Sequence, residues 1–179
     1  MAAPKRLTLV IPAEVTAMTL KDRIRAGEPI NFAIVRVGNE RFAIELSAIV
    51  EAVDAGTLDE MPTLPAGALG VLHWRAIAVT VWSPTPVLKA ELDGADTAVL
   101  VRGPSSPVAL GVDDVEDLVT MPGRAVRPVV GKEDATGLVL GVVHLEDDAL
   151  ATVLDPDALA AALIGRAPKE LSNEVPAEA

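Results

Sequence analysis

The runs FAIVRV, RFAIEL, TAVLVR, PVALGV, GLVLGVV and ALATVL, spread between Phe32 and Leu154, constrain the fold more than any other feature of the chain. Each is short, rich in Val, Ile, Leu and Ala, and fenced by Gly, Pro, Asn or Asp, the residues that make turns. A two-residue period shows where Ile34, Arg36 and Gly38 alternate with Ala33, Val35 and Val37. Runs of this length and spacing specify a mainly all-β chain.

Two stretches carry helix signals instead. DPDALAAALIG has Asp155 as N-cap, Pro156 in the first turn and Gly165 past the end. SAIVEAVDAG has Ser47 and Gly56 in the corresponding places, but Ile49, Val50 and Val53 are β-branched and fit a strand equally well. Ahead of the strand-rich region, RLTLVIP reads as strand and TLKDRIRAG as a helical turn or two. Residues 1–30 form an N-terminal extension with no assigned role. The polar, proline-bearing end, residues 165–179, reads as a disordered tail.

Sliding the chain along itself exposes a repeat. LGVLHWRA at Leu69–Ala76 matches LGVVHLED at Leu140–Asp147, and after a one-residue gap TVWSP at Thr80–Pro84 matches TVLDP at Thr152–Pro156. Upstream, GNERFAIELSAIVEAV from Gly38 lies against GPSSPVALGVDDVEDL from Gly103, setting Val50 on Val115 and Glu51 on Glu116. Two copies of one small unit, each with about five strands, suit two small barrels with a groove between them.

Composition narrows the function. With a formal charge of −11 and Lys and Arg scattered, there is no footprint for nucleic acid or anionic lipid. The chain has no cysteine and two histidines, which leaves neither a disulfide framework nor a thiolate or histidine-rich metal site, and suits a reducing cytoplasm. No window has the roughly 18 uncharged apolar residues of a spanning helix, so direct membrane insertion is not expected. The start, MAAPKRLTLVIPAEV, has a basic pair before an apolar stretch, but Pro12 and Glu14 interrupt it, and it is not read as a signal peptide. Gly-rich phosphate loops, nucleophile elbows and His-Glu-x-x-His motifs do not occur. No enzyme activity and no cofactor is expected.

The residues resemble the CheW-like domain family of chemotaxis adaptors over roughly Asn31 to Leu163. FAIVRVGNERFAIELSAIVEAV is similar to the family's strand, turn, strand and Val-x-Glu segment, and LPAGALGVLHWRA to its Pro-to-Asn-Leu-Arg-Gly segment. LGVDDVEDLVTM is similar to its Val-Asp-x-Val run, and LGVVHLEDDALATVLDPDAL to its closing strands and helix. Where the family has Asn-Leu-Arg-Gly this chain has His73, Trp74, Arg75 and Ala76, and Thr80 to Pro84 replace a Pro-Val-x-Asp-Leu segment.

The resemblance implies two SH3-like β-barrel subdomains in tandem with a C-terminal helix: a first barrel at about 31–90, a second at about 95–155, and a helix at about 156–164. It implies a cytoplasmic, non-enzymatic scaffold. In the family, a groove between the barrels takes the tip of a methyl-accepting chemoreceptor, and the first barrel takes the regulatory domain of a CheA-like histidine kinase. Other CheW-like domains are further candidate partners. Two alternatives stay open. One is a β-barrel small-molecule-binding protein or an enzyme with an unrecognised site. The other is a divergent adaptor that binds only kinase or another CheW-like protein, motivated by Ala76 where a turn of positive φ favours glycine.

Arg75 is the foremost candidate site residue. Its counterpart in the second copy is Glu146, so the fold does not need a cation at that turn, and in the family resembled an arginine at this motif position supports coupling. Glu51, at the family's Val-x-Glu glutamate, is its expected partner. Val50, Val71, Leu72, Leu110 and Val112 are expected to line the receptor groove. Trp74 and Trp82 are either core or interface anchors. His73 recurs as His144 and reads as a packed, hydrogen-bonded strand histidine. The acidic clusters Asp113, Asp114, Glu116, Asp117 and Glu146, Asp147, Asp148 lack the calcium-loop pattern and read as solvated edges.

Overall fold

The structure is a computed structural model and describes residues 18–94, 96–130 and 136–165. The strand expected in RLTLVIP and most of the expected tail lie outside these residues. A short helix, α1 (Leu20–Arg25), opens the described chain; Thr19 and Asp22 cap it reciprocally, and Leu20 is buried beneath it. Ten strands follow in two five-stranded sheets. They are β1 (Pro29–Val37), β2 (Glu40–Glu45), β3 (Ile49–Asp54), β4 (Ala68–Trp74), β5 (Ile77–Trp82), β6 (Thr97–Val101), β7 (Val108–Val112), β8 (Asp114–Pro122), β9 (Val139–His144) and β10 (Leu150–Leu154). A single helical turn, α2 (Thr85–Leu88), links β5 to β6, and α3 (Pro156–Ile164) closes the described chain. The α3 start is as the sequence indicates: the Asp155 carboxylate accepts from the backbone N–H of Asp157 and Ala158, with Pro156 at the first position.

SAIVEAVDAG resolves as strand. A three-residue 3₁₀ turn at Leu46–Ala48 leads into β3, whose residues alternate between half-buried and exposed and pair with β6. β-Branched side chains with a sheet edge available outweigh the cap signals at Ser47 and Gly56.

The first sheet runs β8-β1-β2-β10-β9 and the second β3-β6-β7-β5-β4. The repeat is present, but the two copies exchange strands. Each sheet joins the opening hairpin of one copy to the closing three strands of the other, through the parallel pairs β2 with β10 and β5 with β7. Sheet membership therefore does not divide at about residue 90–95, as the contiguous reading has it. The reason lies in the links. Leu46–Ala48 carries the chain from the first sheet to the second and Asp113 alone carries it back; neither contains the positive-φ residue that turns a hairpin, as Gly38 does between β1 and β2.

The two copies match in detail. Both closing hairpins carry a bulge at the same place, between Ala68 and Gly70 and opposite Val153 and Leu154, and both are crossed by an isolated bridge, Asp59 to Val71 and Arg127 to Val142. This explains the repeated Leu-Gly-Val. A Cβ at Gly70 would lie 2.6 Å from Leu58 Cβ, and one at Gly141 2.5 Å from the Arg127 carbonyl oxygen.

The core has three parts. Ile30, Phe32, Ile34, Ala43, Val143 and Val153 pack inside the first sheet with Leu20. Val79, Val81, Ala98, Leu100 and Ala109 pack inside the second. Between the sheets lie Val35, Phe42, Ile44, Trp82, Val99, Val101, Leu110, Val112 and Leu154, capped by Leu159 and Leu163 of α3. Central strands are thus apolar on both faces, which is why TAVLV and VALGV are continuous apolar runs.

Candidate functional site

GVLHWRAIAVTVW is the β4–β5 hairpin, turning at Arg75 and Ala76 between the paired Trp74 and Ile77. Both turn residues have positive φ, 48° and 67°. Two consecutive positive φ values are the hairpin geometry that Asn-Gly usually supplies, so an Arg-Ala turn is strained. From that turn the Arg75 guanidinium folds back over the Trp74 indole, 4.7 Å from the ring centroid. Its Nη2 donates to Glu51 Oε1 at 3.1 Å, and Trp74 Nε1 donates to the same oxygen at 3.0 Å.

The expected Glu51–Arg75 contact therefore exists, with Trp74 as an additional member. The chain alternation that sets Trp74 and Arg75 on opposite faces ends at the turn, which lets the two stack. The cluster is a surface feature: the Arg75 side chain is 70% exposed and that of Glu51 40%. An ion pair this open is worth at most about 1 kcal/mol, so the cluster presents a shape and a charge more than it stabilises the fold.

The other candidates divide. Trp82 is buried between the sheets and is core, not an interface anchor. Val71, Leu110 and Val112 are also buried, so they cannot line a groove. Core fills the centre of the space between the sheets, and a cleft of about 650 Å³ opens at its side, lined by Phe42 and Leu154 of the first sheet, Val87 and Leu88 of α2 and Ala162 of α3, none of them a residue the sequence reading expects in a groove. Leu72 is half-buried beside Trp74, and Val50, next to Glu51, is 37% exposed. His73 does not pack: its side chain is 75% exposed, with Nε2 2.8 Å from Asp59 Oδ2. His144 is likewise exposed. Neither His73 nor Arg75 is enclosed by a deep pocket.

Asp113 is the residue that sequence reasoning misjudged most. Grouped with solvated acids, it is instead buried at the step from β7 to β8. Its carboxylate accepts from the backbone N–H of Gly38 at 2.6 Å, Asp93 at 2.9 Å and Gly94 at 2.6 Å. The polar position directly after the apolar VALGV is the only hint the sequence offers.

A second buried acid, Glu45, is bound by Arg23 of α1, which also reaches Glu28. Burial opposes the charge on Arg23, but the hydrogen bond and charge of Glu45, with those of Glu28, outweigh it and raise its pKa. On the first sheet, Arg41 donates to Glu116 at 2.7 Å and lies 3.4 Å from Asp147. The Glu116 hydrogen bond and charge raise its pKa further above the ordinary arginine value.

Among the described helices none is long and apolar enough to cross a membrane. No curated protein sequence matches the chain closely enough to count as a relative. Among solved structures, the chain is similar to the scaffolding protein TtCheW from Thermoanaerobacter tengcongensis. The TM-score is 0.62 at 16% identity, with 73% of this chain and 87% of that chain covered. A likeness at that identity establishes a shared fold. The family model for the CheW-like domain matches residues 31–163, from within β1 to the last turn of α3. The chain belongs to the CheW-like domain family.

Proposed function

We propose that this chain is a non-enzymatic chemotaxis-type adaptor that couples the cytoplasmic tip of a chemoreceptor to a CheA-like histidine kinase. The observation that carries the reading is the Glu51–Trp74–Arg75 cluster. It stands at the family's motif positions, exposed on a strained turn, and strain of this kind persists where a surface has a task. Membership of the family and the resemblance to a scaffolding protein support it.

In this reading the β4–β5 tip and the adjoining edge of the second sheet form the coupling surface. Trp74 and Leu72 supply apolar area, Arg75 supplies an oriented charge, and Val50 and Glu51 extend the surface onto β3. Val71, Leu110 and Val112 act beneath it as packing.

Binding of the kinase regulatory domain and of a receptor hairpin fragment, measured by calorimetry, tests the assignment. Arg75→Glu and Glu51→Arg each lower affinity for at least one partner by about tenfold, and the double reversal recovers part of the loss. Unchanged affinity for both partners in both single variants overturns the assignment of the surface.

A further inference from the structure

The two sheets are built alike, yet one of them lacks the pair of side chains that closes the other. Strand pairing gives the equivalence. In the second sheet Glu51 pairs with Leu100, Leu100 with Ala109, and Ala109 with Val81. In the first sheet Asp117 pairs with Ile34, Ile34 with Ala43, and Ala43 with Val153. The Glu51–Leu100 and Asp117–Ile34 pairings each stand beside a register shift, so Asp117, not Glu116, is the counterpart of Glu51. On the closing hairpins Trp74 and Arg75 correspond to Leu145 and Glu146.

In the second sheet the hairpin tip folds onto the edge strand, and the indole and guanidinium both bond Glu51. In the first sheet the smaller Leu145 stands where the second has Trp74, and Glu146 brings to the cleft that Asp117 also lines a charge of the same sign, where Arg75 brings the opposite one. What remains is a cleft of about 720 Å³ between β8 and the β9–β10 tip, lined in part by Leu118, Val119, Met121 and Leu145. Four carboxylates, Glu116, Asp117, Glu146 and Asp147, border it against one guanidinium, Arg41. Arg41 bridges Glu116 and Asp147, so Asp117 and Glu146 have no ion-pair partner within 4 Å among the described residues. Leu118 is 61% exposed on β8, an end strand of its sheet.

We propose that this cleft docks a protein partner through an extended segment carrying arginine beside apolar residues, which supplies there what Trp74 and Arg75 supply in the second sheet. Three features select the occupant. The carboxylates select a cation. The repeat shows arginine holding the equivalent carboxylate in the other sheet, and arginine lies flat on an apolar floor where the strongly hydrated ammonium of lysine does not. The outer edge of β8 offers backbone groups to an added strand. The docking does not depend on the adaptor reading, which rests on the opposite hairpin.

The test uses the full chain and a fluorescein-labelled nonapeptide of alternating Val and Arg, read by anisotropy and by amide chemical-shift mapping. Shifts confined to residues 116–121 and 144–147 are expected. Asp117→Asn with Glu146→Gln weakens binding about tenfold, whereas Glu60→Gln with Asp157→Asn, which removes the same charge from exposed sites elsewhere, leaves it unchanged. Leu145→Trp with Glu146→Arg, which copies the second sheet's pair into the first, abolishes binding. Undetectable binding at 1 mM peptide, shifts centred elsewhere, or equal weakening by the remote pair overturns the proposal.

Discussion

Removing the Asp113 carboxylate unfastens two segments at once, through three backbone donors. Its side chain is 1% exposed and accepts from the backbone N–H of Gly38, Asp93 and Gly94, while Arg36 Nη1 lies 3.8 Å from Oδ2. Those donors belong to the β1–β2 turn and to the link between the two repeat copies. Asp113→Ala orphans them, at about 1 to 3 kcal/mol for each donor that water does not reach. Asp93 and Gly94 are both exposed and rehydrate readily, so the part-buried Gly38 carries most of the loss and the sum is about 2 to 4 kcal/mol. Asp113→Asn keeps the shape but turns an amide donor toward backbone donors and removes the charge, costing about 2 to 4 kcal/mol. Urea unfolding followed by tryptophan fluorescence, with Trp82 buried between the sheets, reads the loss as a lower midpoint at unchanged slope. Asp114→Asn, one residue on and exposed, should stay within about 0.5 kcal/mol. A loss under about 1 kcal/mol for Asp113→Ala would refute the claim that this carboxylate fastens the link between copies.

Other substitutions follow from the same structure. Ala76→Gly relieves a positive-φ alanine and should raise stability by about 0.5 to 1 kcal/mol after the entropic cost of glycine, read as a higher melting temperature. Gly70→Ala and Gly141→Ala should each cost about 1 to 3 kcal/mol, because the new Cβ meets Leu58 or a backbone carbonyl; Gly141→Ala should cost more, the carbonyl being the harder neighbour to move. Arg23→Ala leaves the buried Glu45 without its cation and should cost about 1 to 3 kcal/mol, with α1 losing amide protection before the sheets do.

Six of the ten described strands, the C-terminal helix with its Asp155 cap, and the repeat were legible in the chain, because turn residues, β-branched runs and capping are local signals, whereas β3 stayed open between helix and strand and the acidic β8 read as a solvated edge. The exchange of strands between copies was not, since the parallel pairing of β2 with β10 joins residues over a hundred positions apart and leaves no mark on either. Contiguity also misled the assignment of groove residues. Val71, Leu110 and Val112 are apolar because they fill the core, and an apolar groove residue looks the same in sequence. Arg75 was found because the copies differ there. Its contact with Trp74 has no sequence signal, because strand alternation sets neighbours on opposite faces and only the turn lets these two stack, and the burial of Asp113 has none because a lone buried acid in an acidic run is invisible without the fold around it.

The adaptor reading is tested most directly by mixing the purified chain with a CheA-like kinase regulatory domain and a receptor hairpin fragment from the same organism, and following assembly by analytical ultracentrifugation. The account predicts that each partner binds at micromolar concentration and that all three sediment together, with the complex weakened by Arg75→Glu. Sedimentation of all three as separate species at those concentrations would contradict it.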